Sequence, residues 1–104
     1  MSTFTDREHA FEAKFAHDAE MQFKAEARRN KLLAIWAAKL QGKDEAATTA
    51  YIAAVIHSDF EEAGHEDVVR KVSGDLGDLA DDATIRAKMA ALLTEAKATL
   101  MDEA

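Results

Sequence analysis

Apolar residues recur at three- and four-residue steps along most of this chain, as in Tyr51, Ile52, Val55, Ile56 and Phe60. The same rhythm returns in Val68, Val69 and Val72, and again in Ile85, Met89, Leu92, Leu93 and Leu100. Such steps line up side chains on one face of a helix. No β-branched cluster alternates cleanly over six or more positions, so strands are not expected. Glycine-containing breaks divide the pattern into four helices. The first can start at Thr5, where Thr5-Asp-Arg-Glu8 has the form of a capping box, and runs to Leu40. Gly42 suits the left-handed position that ends it. Asp44 can cap a second helix that reaches Glu62, before Ala63-Gly64-His65 breaks it. A short third helix covers Glu66 to Ser73, and Gly74 to Asp82 reads as a polar connection. Asp81 or Asp82 can cap a fourth helix extending to Met101.

The later helices need a matching face, and Leu32, Leu33, Ile35, Trp36 and Leu40 supply it. The expected fold is therefore all-α, a four-helix bundle. The first helix does not fit that bundle. Its span would be about 36 residues, or roughly 54 Å, against roughly 27–30 Å for the second and fourth helices. Half of it has no partner helix beside it, so its N-terminal part must protrude, fold back or be disordered when free. The natural division is residues 1–20 as an N-terminal segment and 21–104 as the bundle.

Aromatic placement sharpens the mismatch. Phe4, Phe11, Phe15 and Phe23, four of the five phenylalanines, fall within the first 23 residues. On a helix, Phe4, Phe11 and Phe15 form one narrow stripe. Burying one phenylalanine is worth about 1.5–3 kcal/mol, so three left in water forgo much driving force. This spacing suits a helix laid into a partner's groove. The competing readings are a segment folded back on the bundle, a homodimer seam, and a membrane-surface helix. The last is disfavoured, because acids outnumber bases over residues 1–24, whereas such helices are usually basic.

The chain has 104 residues, no cysteine and no proline, which bounds it to one domain without disulfides or cysteine-ligated zinc. No basic start followed by an apolar run marks a secretory signal, and no stretch is apolar enough to span a bilayer. The expected location is the cytoplasm. The net charge is −7, and residues 59–82, with nine acids against two bases, carry all of it. That region repels polyanions, so nucleic acid is not an expected partner. The blander account is a solvated acidic surface.

Catalytic constellations are missing. No serine lies in a nucleophile turn, no glycine-rich phosphate loop exists, and a small helical bundle offers little room for a water-excluding cleft. His9 and His17 are two turns apart, too far to share an ion unaided. Glu62-Ala-Gly-His65 resembles a diiron ligand pair, but Gly64 should break the helix and no second copy exists. No metal, cofactor or enzymatic activity is expected. Lys24, Arg28, Arg29 and Lys31 could form a small phosphate-binding patch, or simply pair along the helix surface. Arg29 projects onto the side of Phe11 and Trp36. Two alternatives to a groove-binding helix remain: a helical adaptor or homodimer, and a nucleotide- or metal-binding regulator.

The run from Phe4 through Phe23-Lys24, continuing through Arg28-Arg-Asn-Lys-Leu-Leu and Trp36-Ala-Ala, resembles the zeta subunit of alphaproteobacterial F-type ATP synthases, an inhibitor of the F1 ATPase. Asp59-Phe-Glu-Glu, Gly64-x-Glu-Asp-Val and Ile85-Arg-x-Lys-Met extend the likeness. The resemblance implies a four-helix bundle, monomeric in isolation, with an N-terminal segment that is mobile in the free protein. In that family the segment enters a catalytic α/β interface of F1, reaches the γ stalk and blocks rotation in the hydrolytic direction. It implies contacts by Phe4, Arg7, Phe11, Lys14 and Phe15, and secondary docking by Arg28, Arg29 and Trp36. It also implies peripheral association with the membrane-bound synthase.

Overall fold

In the computed structural model, residues 3–59 and 64–103 are described, with side chains from residue 19 onward. Four helices carry the fold: α1 (Thr3–Leu40), α2 (Glu45–Ser58), α3 (Glu66–Leu76) and α4 (Asp82–Glu103), with a 3-10 turn at Gly77–Leu79. No strand occurs among the described residues. The architecture is the expected all-α four-helix bundle. The molecule measures 59 × 24 × 22 Å. Its long dimension is set by α1, whose 38 residues extend about 57 Å at about 1.5 Å each.

Local chemistry explains the ends. Gly42 has φ +73°, and the Lys43 N–H returns to the Ala38 carbonyl at 3.0 Å, which closes α1 with a left-handed residue as expected. The Asp44 carboxylate accepts the Ala47 N–H at 2.8 Å and starts α2. Asp81 does the same for α4 through Thr84 N–H at 2.7 Å, and this bond lowers the Asp81 pKa. Helix α1 begins at Thr3, two residues before the expected capping box. Helix α2 stops at Ser58, whose hydroxyl donates to the Val55 carbonyl at 2.6 Å. The rest of its expected span, residues 60–62, lies outside the described residues.

The third helix corrects the sequence reading. It does not end at Ser73 but crosses Gly74 and finishes at Leu76. Val68, Val72 and Leu76 stand at four-residue steps, and all three are buried. Seating Leu76 in the core is worth about 1.5–3 kcal/mol. Glycine in the helix costs only about 1 kcal/mol, so packing overrides propensity. Gly77, at φ +55°, makes the turn instead.

The core joins Leu33, Ala34, Ala37 and Ala38 of α1 to Tyr51 and Val55 of α2, the three valines and Leu76 of α3, and Ile85, Met89 and Leu92 of α4. Alanine does much of the packing on α1, because small side chains let two helices approach one rod at once. Leu32, Trp36 and Ile52 are only partly buried against this core.

Candidate functional site

Residues 3–18 form the N-terminal turns of α1, so Phe4, Arg7, Phe11, Lys14 and Phe15 share one continuous helix with the bundle. Their side chains lie outside the described residues. From residue 19 onward the exposure pattern is clear. Ala19, Glu20, Phe23 and Lys24 are exposed, and Ala25 is the first fully buried position. Phe23 stands 68% exposed, the most open of the large apolar side chains described.

Two contacts show that α4 runs antiparallel to α1. Lys88 Nζ lies 5.9 Å from the centre of the Trp36 ring, and further along α4 Glu103 meets Arg28. The Arg28 guanidinium donates twice to Glu103, at 2.9 and 3.1 Å, in the fork geometry that suits a carboxylate. This pairing raises the Arg28 pKa and lowers that of Glu103.

Arg29 turns inward and is only 4% exposed. Its Nε donates to Asn30 Oδ1 at 3.1 Å, and Asn30 Nδ2 donates to Asp59 Oδ2 at 3.1 Å. Burial lowers the Arg29 pKa, against the pull of Glu26 and Asp59. Asn30 is itself buried, so this chain ties α1 to the end of α2 through polar groups that have partners. Beside it lies an open cleft of about 320 Å³ walled by Glu26, Arg29, His65, Arg86, Met89, Ala90 and Leu93. Arg86 is already committed, with Glu66 at 2.7 Å and Asp82 at 2.9 Å. These bonds raise its pKa and lower that of Glu66.

The three docking candidates are therefore not brought together as one surface. Arg28 is held by α4, Arg29 faces the interior, and Trp36 packs against the core under Lys88. Of the basic cluster, Lys24 and Lys31 are exposed, whereas Arg28 is paired with Glu103 and Arg29 is buried. Sequence reasoning missed the Arg29–Asn30–Asp59 chain. A polar residue at position 30, in register with Leu33, Ala34 and Ala37, was the available signal. No group of three or more histidine or acidic side chains that could hold a metal occurs among the described residues. No described helix is long and apolar enough to cross a membrane.

The family model for ATPase inhibitor subunit zeta matches residues 1–99, which includes α1 to α3 and most of α4. The chain belongs to that family. Among solved structures, a protein determined by solution NMR is 57% identical, with a TM-score of 0.73 over 81% of this chain and 99% of the other. No curated protein matches the zeta-family chain. Membership makes it an inhibitor subunit of an ATPase rather than one of its catalytic subunits. The partner that follows is the F1 ATPase of ATP synthase.

Proposed function

We propose that this zeta-family chain inhibits ATP hydrolysis by F1 by inserting the N-terminal turns of α1 into a catalytic α/β interface and blocking rotation in the hydrolytic direction. Residues 1–20 are the inhibitory segment, and residues 21–104 are the bundle that carries it. The observation that supports this most is the length of α1, 38 residues of helix, with Ala25 the first buried position among the side chains described. Phe4, Phe11 and Phe15 fill apolar pockets of the α and β subunits. Arg7 and Lys14 pair with acidic groups there or on the γ stalk. The protein works on the cytoplasmic side, peripheral to the membrane-bound synthase.

The test is an ATP hydrolysis assay on purified F1 with the full chain and with a chain lacking residues 1–20. The full chain should inhibit. The shortened chain should lose inhibition while keeping the helicity and thermal melt of the bundle. Undiminished inhibition by the shortened chain would exclude insertion of this segment.

A further inference from the structure

We infer that the last turns of α4, residues 93–103, form a strap that opens from α1 as one unit while the four-helix core stays folded, with the Arg28–Glu103 ion pair as its clasp.

A polar layer marks where the core stops. The described residues that are both buried and polar, Arg29, Asn30, Ser58 and Asp67, gather where α2 ends and α3 begins. Asn30 bonds Asp59, one residue past α2, and Arg29 shares the cleft with His65, one residue before α3. Lys88 opposite Trp36 sets the register of the antiparallel pair, which brings this layer level with about residues 94–95 of α4. On one side of it the apolar core joins all four helices and reaches Leu92. On the other side, α4 is the one described helix that still accompanies α1.

The contact beyond the layer is thin. Its fully buried side chains are two alanines, Ala25 and Ala96, and neither belongs to the apolar core. Leu93 and Leu100 are half-buried, and Met101 is open to solvent. An alanine buries one methyl, far less apolar area than the leucines and valines of the core. The helix is also weakened at the layer itself. There the Thr94 hydroxyl donates to the Ala90 carbonyl at 3.2 Å, a back-bond that slightly destabilises and bends helices. Thr99 repeats this with the Glu95 carbonyl at 2.8 Å.

What fastens the far end is the two-bond clasp between Arg28 and Glu103, and both partners reach solvent. A unit with few buried apolar contacts opens more readily than the core beside it. Dissolved ions screen an exposed pair, so ionic strength sets how often the strap opens. With the strap closed, α1 stands alone back to about residue 21; with it open, back to about residue 30.

Amide hydrogen exchange on the full chain, read residue by residue by NMR, tests this. The amides of Ala96, Lys97, Ala98 and Thr99 should share one opening step, with protection at least about tenfold lower than at Met89 to Leu92. Glu103→Gln should speed exchange in the strap about two- to fivefold and leave the core amides unchanged, and so should about 0.5 M sodium chloride. Protection equal to that of the core overturns the strap. So does a smooth gradient from Leu93 to Asp102, the mark of a fraying end rather than of one opening unit. Strap rates that respond neither to the variant nor to salt overturn the clasp.

Discussion

One helix serves two regions with opposite economies of apolar area. Over 25–40, α1 lies among three other helices, and the residues that vanish into the core there are mostly small: Ala25, Leu33, Ala34, Ala37 and Ala38. Over the first 23 residues it carries four of the five phenylalanines of the chain. The first phenylalanine whose side chain is described, Phe23, stands in solvent. Phenylalanine is therefore concentrated ahead of Ala25, the first buried position among the side chains described. In a zeta-family inhibitor that is an expected division, because the area a fold leaves unspent is what a partner can cover.

The sharpest way to break this comparison is to remove rings from the overhang. Phe11→Ala with Phe15→Ala should weaken inhibition of F1 by on the order of 100-fold, given about 1.5–3 kcal/mol for each buried ring. The melting temperature should stay within about 1 °C of the parent chain, a change typical of positions outside the core. A fall of several degrees would mean that these rings support the bundle, and the contrast would vanish.

The converse change is made inside the bundle. Leu33 is fully buried at the centre of the core, so Leu33→Ala should cost about 2–5 kcal/mol through lost contacts and an unfilled cavity. In a domain of this size that lowers the melting temperature by roughly 10 °C or more, read by circular dichroism. A smaller but diagnostic loss follows from Asn30→Ala. The amide both accepts from Arg29 and donates to Asp59, so its removal strands two charged groups, one of them buried, at a cost of about 1–3 kcal/mol. A melt unaffected by this change would show the polar chain to be dispensable.

Acid separates the regions more gently. Glu66 and Glu103 owe their lowered pKa values to arginine partners, and Asp81 to the α4 cap. A carboxylate whose pKa is lower in the folded chain binds protons less readily there than in the unfolded chain. Its contribution is complete above the unfolded pKa and is lost as pH falls through the folded one. Melting temperature should therefore be level from pH 7 to about 5 and decline below about 4, within the ordinary carboxylate range. Arg28→Gln should remove part of that decline by freeing Glu103. A decline that starts at neutral pH would point to other groups.

Most of this architecture was legible because helical periodicity and end signals agree along the chain. Asp44, Asp81 and Gly42 do what their chemistry suggests, and the stripes Val68–Val72 and Ile85–Met89–Leu92 are core. Gly74 misled because its local cost was weighed without Leu76, whose burial is a tertiary gain invisible to propensity. Arg28 and Arg29 part for a related reason. Neighbours in sequence, they separate by about 100° around a helix, so one meets Glu103 at the surface and the other enters the interior. Resemblance could nominate both for docking, but no spacing rule says which face a second helix will cover.

The smallest expected effect tests whether every group in the bundle is satisfied. Tyr51 is buried at 7% exposure, with the ammonium groups of Lys43 and Lys71 at 5.4 and 5.6 Å from its ring centre. Its hydroxyl makes no hydrogen bond of acceptable geometry, although burial and then nearby Asp75 push its pKa up. Replacing it by phenylalanine keeps the ring and its cationic neighbours and deletes an oxygen that has lost water without gaining a partner. Tyr51→Phe should thus be neutral or slightly stabilising, within about 1 kcal/mol, and should leave inhibition unchanged. A melting temperature lowered by about 5 °C or more would mean that the hydroxyl is bonded in solution, with the Asp75 carboxylate as the acceptor. That outcome would add a polar tie between α2 and α3, but would leave the contrast with the overhang intact, because Tyr51 lies wholly on the bundle's side of it.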